Sequence, residues 1–142
     1  MDATVIPQLS RLDQIRVDEV MHAGLVGCSP SVPLPVVARM LAENRIHCVV
    51  VRGIERTREG ERLTWGILND RDVMRAIDAG DGSVTAGKLA MPAEPTVDVE
   101  EPLDRAIQLM ASYDVSHVIV LDKGYPIGIV SALDVAAAAA GV

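Results

Sequence analysis

The chain repeats itself, and this repeat most narrows its possible folds, because two copies of one unit must bury the same kind of face. A shift of 69 places Pro33-Leu34 on Pro102-Leu103, Val37 on Ala106 and Leu41 on Met110. It also places Ile46 on Val115 and Val49-Val50-Val51 on Val118-Ile119-Val120. Further along the shift becomes 62, with Gly66-Ile67-Leu68 on Gly128-Ile129-Val130 and Asp72-Val73 on Asp134-Val135. The first copy therefore carries seven additional residues within Arg52–Arg62. Glu55, Arg56, Arg58, Glu59 and Glu61 make that stretch read as a longer, solvated hairpin loop.

Both copies give the same pattern of elements. Leu34, Val37, Ala38 and Leu41 recur at the spacing of one helical face, as do Leu103, Ala106, Ile107 and Met110. Pro102 is expected at the first helical position, with Glu100-Glu101 near the positive end of the helix. The runs Cys48–Val51 and Val118–Leu121 are buried strands by their β-branched content. Thr64–Leu68 and Ile127–Val130 follow as hairpin partners, the second through a turn at Lys123-Gly124. Helices then open over Asp70–Ile77 and Ala132–Ala140, and short helical turns precede each copy at Val17–Met21 and Ala86–Met91. The expected organisation is an arm over 1–16, a first domain over 17–79, a linker over 80–84 and a second domain over 85–142. The fold class is α/β (α+β), two β-α-β-β-α repeats packed through their sheets with pseudo-two-fold symmetry. Pairing into a homodimer is the next expected step.

Composition excludes several functions. Nearly half the residues are apolar, yet there is no Phe, one Trp and two Tyr, so the core is aliphatic and base-stacking platforms are scarce. The net charge of −7 argues against a nucleic-acid footprint, which needs a basic face. Charge is uneven: ten basic residues oppose twelve acidic ones in 1–84, against three and eight in 85–142. No apolar run approaches the length of a membrane span, and Cys28 and Cys48 are lone thiols that suit a reducing cytoplasm. Together with His22 and His47 they lack any tight ligand pair, so no metal site is expected. No phosphate-binding glycine loop, nucleophile elbow or paired catalytic carboxylates are found, and the chain is not expected to be an enzyme.

The second copy runs Pro102-Leu103, Ala106, Met110, then Val115-Ser116-His117-Val118-Ile119-Val120-Leu121-Asp122, then Gly128-Ile129-Val130-Ser131 and Asp134. This resembles a CBS domain. The first copy follows more loosely through Ile46–Val51 and Gly66–Asp72, so the chain is similar to a stand-alone CBS-domain pair over residues 17–140. Such pairs commonly act as regulatory modules that bind adenosine derivatives between the copies: AMP, ADP, ATP or S-adenosylmethionine. The resemblance implies that Ser131 and Asp134 hold a ribose, with Leu25, Val26, Ile46 and His47 completing that cleft. A second, weaker cleft would use Asn69 and Asp72 with Glu94, Pro95, Val115 and Ser116. Asn69 departs from the usual Ser or Thr, and a Glu-Pro wall suits an anion poorly, so the first cleft is preferred.

The chemistry is consistent with that assignment. An ionised carboxylate accepts from both ribose hydroxyls, and a helix opening beside it offers free N–H groups to phosphate. Each residue also has a plainer role. Ser131-x-x-Asp134 and Asn69 are helix-capping patterns, Gly66 and Gly128 permit close strand packing, and His47 and His117 fit hydrogen-bonded positions beside strands. Two functions remain in competition: a nucleotide sensor read by an unknown regulated protein, and a ligand-independent dimeric scaffold.

Overall fold

A computed structural model describes residues 11–141. The chain is mixed α+β, with five helices and two sheets among the described residues. In order these are β1 (His22–Ala23), β2 (Gly27–Cys28), α1 (Leu34–Asn44), β3 (Cys48–Thr57), β4 (Gly60–Asn69) and α2 (Asp70–Asp78). There follow α3 (Ala86–Leu89), β5 (Thr96–Asp98), α4 (Leu103–Tyr113), β6 (His117–Asp122), β7 (Tyr125–Ser131) and α5 (Ala132–Ala140). A 3-10 turn at Val17–Glu19 precedes β1.

Among the described residues two compact units form, 26–93 and 11–25 with 94–141. These do not coincide with the sequence copies, because the leading segment of each copy belongs to the unit built by the other. Val17, ahead of the first copy, is fully buried with Val97, Leu103, Val118, Val120 and Val130 of the second. Val84 and Ala86 are buried with Leu34, Val37, Val49 and Leu68 of the first. Of the expected arm, residues 1–10 lie outside the described residues, whereas Leu12 is buried and Leu103 donates to the Ile15 carbonyl at 2.7 Å. The expected 80–84 linker ends in core, since Val84 is buried and Leu34 donates to its carbonyl at 3.1 Å.

In the first unit described here, residues 26–93, the strand order is β2-β3-β4, with β2 parallel to β3 and β3 antiparallel to β4. In the other the order is β1-β7-β6-β5, with β5 parallel to β6. Alternation along β3 and β6 sends Val49, Val51, Val118 and Val120 toward the helices. The helices dock through their predicted stripes: Leu34, Val37 and Leu41 on α1, and Leu103, Ala106 and Met110 on α4, are buried. Both helices end on a non-glycine residue in the left-handed conformation, Arg45 and Asp114, each with φ of 52°. The next residue closes the turn, Ile46 donating to Leu41 and Val115 to Met110.

Two local expectations are corrected. Pro102 is the N-cap of α4 rather than its first helical residue, with an extended φ/ψ of −70°/152°, and Pro33 caps α1 in the same way. The extra residues of the first copy form no open loop: β3 and β4 stay paired from Cys48↔Asn69 to Thr57↔Gly60, and only Arg58-Glu59 turn. A ladder satisfies backbone groups in register, so lengthening both arms, β3 by four residues over β6 and β4 by three over β7, extends a ribbon.

The two glycines of the repeat explain how leading segments dock. A Cβ on Gly128 would lie 2.7 Å from the His22 carbonyl oxygen and 3.0 Å from Met21 Sδ. One on Gly66 would lie 3.1 Å from the Met91 carbonyl oxygen. Gly128→Ala should therefore lower stability by about 1–3 kcal/mol by forcing β1 off the sheet edge. Urea unfolding with the midpoint at its wild-type value would contradict that packing.

Candidate functional site

The carboxylates singled out by the repeat sit at equivalent places, three residues into the helix that follows the hairpin. β7 ends at Ser131, which caps α5; β4 ends at Asn69, which caps α2. Each cap is a reciprocal box. The Ser131 N–H and hydroxyl both donate to Asp134 Oδ2, at 2.8 and 2.9 Å, and the Asp134 N–H donates back to Ser131 Oγ at 3.1 Å. Asn69 N–H donates to Asp72 Oδ2, and Asp72 N–H to Asn69 Oδ1, both at 2.9 Å. Asparagine thus does what serine does, and the difference in residue type by itself does not rank the two sites.

Capping uses only one oxygen of each carboxylate, which leaves Oδ1 for other chemistry. On Asp134, Oδ1 lies 2.6 Å from Nε2 of His22, a residue that sequence reasoning had weighed only as a remote metal ligand. On Asp72, Oδ1 has the exposed Arg75 guanidinium at 3.7 Å, beyond hydrogen-bond length but close enough for attraction. Both carboxylates are largely shielded, with side-chain exposures of 13% and 16%.

The neighbours of these sites are set by backbone bonds within each unit. In one, Ala132 N–H donates to the Ser116 carbonyl at 2.7 Å, so Val115 and Ser116 adjoin the start of α5. Glu94 and Pro95, joined by a cis peptide bond, lead into β5 of the same unit. In the other, Asp70 N–H donates to the His47 carbonyl, and His47 Nδ1 lies 2.9 Å from Asp70 Oδ2. Ile46 and His47 are thereby held beside Asn69 and Asp72. A shallow concavity of about 520 Å³ lies there, lined by Ala38, Leu41, Ala42, Ile46 and Val73 together with Arg45, His47 and Asp70. Leu25 and Val26 are half-buried residues on either side of the point where the chain passes between units.

No group of three or more His, Cys, Asp or Glu side chains gathers to hold a metal among the described residues. No helix among them is long and apolar enough to cross a membrane. Cys48 is buried at the start of β3, and burial, aided by the Asp70 carboxylate, pushes its thiol up to about 11. Burial also raises Cys28, though less completely enclosed. The thiolate is the reactive form, so Cys48 should alkylate much more slowly than Cys28 at pH 8. Peptide mass spectrometry after brief iodoacetamide treatment reads this directly, and equal labelling would contradict the burial of Cys48.

Comparison with known proteins agrees with the repeat. A model of the CBS domain matches residues 17–79 and 86–141. Hypoxic response protein 1 of Mycobacterium tuberculosis is 28% identical over 121 residues, covering 83% of this chain and 80% of that protein. Its crystal structure, with two coordinated zinc ions, superposes with a TM-score of 0.67 over 85% of this chain and 96% of that one. The CBS domain protein PAE2072 from Pyrobaculum aerophilum, complexed with AMP, is 26% identical, with a TM-score of 0.69 over 84% of this chain and 89% of that one. The CBS domain pair of protein MJ0100, at 20% identity and a TM-score of 0.68 over 85% of this chain and 96% of that one, shares the fold. Two matched domains in one chain, with the hairpin and capped helix repeated in each unit, show that the protein belongs to the CBS-domain family as a tandem pair.

Proposed function

We propose that the protein is a regulatory sensor of an adenosine-containing nucleotide, AMP, ADP, ATP or S-adenosylmethionine, and that it carries no catalytic activity of its own. The observation that carries this reading is the repeated, shielded carboxylate at a helix opening, in a chain of the same family as a protein complexed with AMP. One oxygen of Asp134 or Asp72 holds the helix cap, and the other is available to a ribose hydroxyl as a charge-assisted acceptor. Ser131 and Asn69 fix each carboxylate's orientation. Of the residues implied for the adenine wall, Ile46 and His47 lie at the shallow concavity, Val115 and Ser116 adjoin α5, and Leu25 and Val26 are half-buried. Arg75 beside Asp72 offers a cation for phosphate in that unit.

Signal transmission through a homodimer is part of the proposal. Met74 and Ile77 on α2 and Leu133 on α5 are large apolar side chains left between 61% and 79% exposed, as expected of helices that meet a partner copy. The same exposure supports a second reading, a scaffold that pairs without ligand, with both carboxylates serving only as caps.

A thermal-shift panel of AMP, ADP, ATP and S-adenosylmethionine separates the two. Saturation at 100 times the dissociation constant adds about 2.7 kcal/mol, so the sensor should show a rise of several degrees in its unfolding midpoint with at least one of them. No shift with any at millimolar concentration would sink the sensor reading.

A further inference from the structure

We propose that His22 is a specificity-determining residue of the Asp134 site, because its imidazole occupies the carboxylate oxygen that a ribose hydroxyl would use. The inference rests on the nucleotide reading above and deepens it. Oδ2 of Asp134 already accepts from the Ser131 N–H and hydroxyl, so a ligand must compete for Oδ1. That oxygen lies 2.6 Å from His22 Nε2. The His22 side chain is 70% exposed while the carboxylate is 13% exposed, so the ring stands on the solvent side of a shielded acceptor. Its backbone is pinned by pairing with Ile129 and by the close approach at Gly128, whereas the ring is exposed to solvent.

The repeat supplies an internal control. Ile67 is the counterpart of Ile129, and Ile67 pairs with Met91 as Ile129 pairs with His22. The Met91 and Ile67 backbones exchange hydrogen bonds of 2.8 and 2.9 Å, so the docking is the same and only the side chain differs. A thioether has no N–H to donate. Among the described residues Asp72 Oδ1 accordingly meets no imidazole, and the Arg75 guanidinium lies 3.7 Å from it. A ribose reaching Asp134 gains one hydrogen bond to a carboxylate and breaks another, while at Asp72 it breaks none. His22 therefore weakens ribose binding at Asp134, and a ligand that brings a stronger donor to Oδ1 is favoured there over one that offers hydroxyls alone.

The test is calorimetry with AMP on the full chain. In an Asp72→Asn background, which isolates the Asp134 site, His22→Met should bind AMP about three- to tenfold more tightly than the chain with His22 intact. His22→Ala should do the same, which guards against a fault specific to methionine. The reciprocal Met91→His, in an Asp134→Asn background, should weaken AMP by a similar factor. Unchanged affinity in both His22 variants overturns the inference, and so does weaker affinity, which would make His22 a direct ligand contact. AMP binding by no variant, the unmodified chain included, overturns this inference, whereas the nucleotide reading falls only when ADP, ATP and S-adenosylmethionine fail to bind as well.

Discussion

The composition of these sites depends on a close backbone approach, which a Cβ would obstruct at Gly128 and crowd at Gly66. Gly128 and Gly66 lie on the sheet strand where a leading segment, brought from the other sequence copy, is laid along the edge. The pair of hydrogen bonds between Met91 and Ile67 uses edge N–H and C=O groups that a three-stranded sheet would otherwise leave exposed. The same docking delivers Val17 into one core and Ala86 into the other, both with no exposed surface. It also carries His22 to Asp134, a residue 112 positions away. One small-residue requirement thus couples edge protection, core completion and the composition of the site.

Much of this was legible in the sequence because it is local and periodic. The stripes of α1 and α4 follow from the 3.6-residue period, and the buried strands from their β-branched content. The capping function of Ser131 and Asn69 follows from hydrogen bonds spanning three residues. What escaped is non-local. The exchange of leading segments leaves no periodic trace, since Val17 and Val84 carry the same apolar signature whichever core receives them. β1 spans only two residues, too few to show alternation. The charged stretch over Arg52–Arg62 reads as a loop because charge is common in solvent-facing turns, yet a two-stranded ribbon accommodates the same composition.

Capping and ligand binding are often set against each other for a Ser-x-x-Asp motif, and the geometry shows that they need not compete. The cap draws on one carboxylate oxygen and orients the plane of the group, so the second oxygen is aimed at no cost in conformational freedom. Ordering a free aspartate side chain on binding would oppose association. The Asp134 carboxylate, held by two capping hydrogen bonds, and that of Asp72, held by one, have given up much of that freedom during folding. The cap therefore preorganises the acceptor, and replacing Asp134 or Asp72 would remove the carboxylate half of the capping box together with any ligand contact.

The consequence is that sequence identity at the motif is a poor guide to which site is open. Serine against asparagine, the most visible difference between the copies, keeps the reciprocal cap and adds only a hydroxyl bond from Ser131 to Asp134. Histidine against methionine, in segments that precede each copy and look unrelated to it, changes what the free oxygen meets. The electrostatics point the same way. Asp134 faces a ring that donates directly to it, in the unit poorest in cations, whereas Asp72 has the Arg75 guanidinium near enough to attract phosphate without occupying the acceptor. If the nucleotide proposal holds, an anionic ligand with a ribose would find at Asp72 an oxygen with a cation 3.7 Å away, and at Asp134 an oxygen that His22 already holds. The exchanged segment, by bringing histidine to one unit and methionine to the other, makes two sites of common descent chemically unequal.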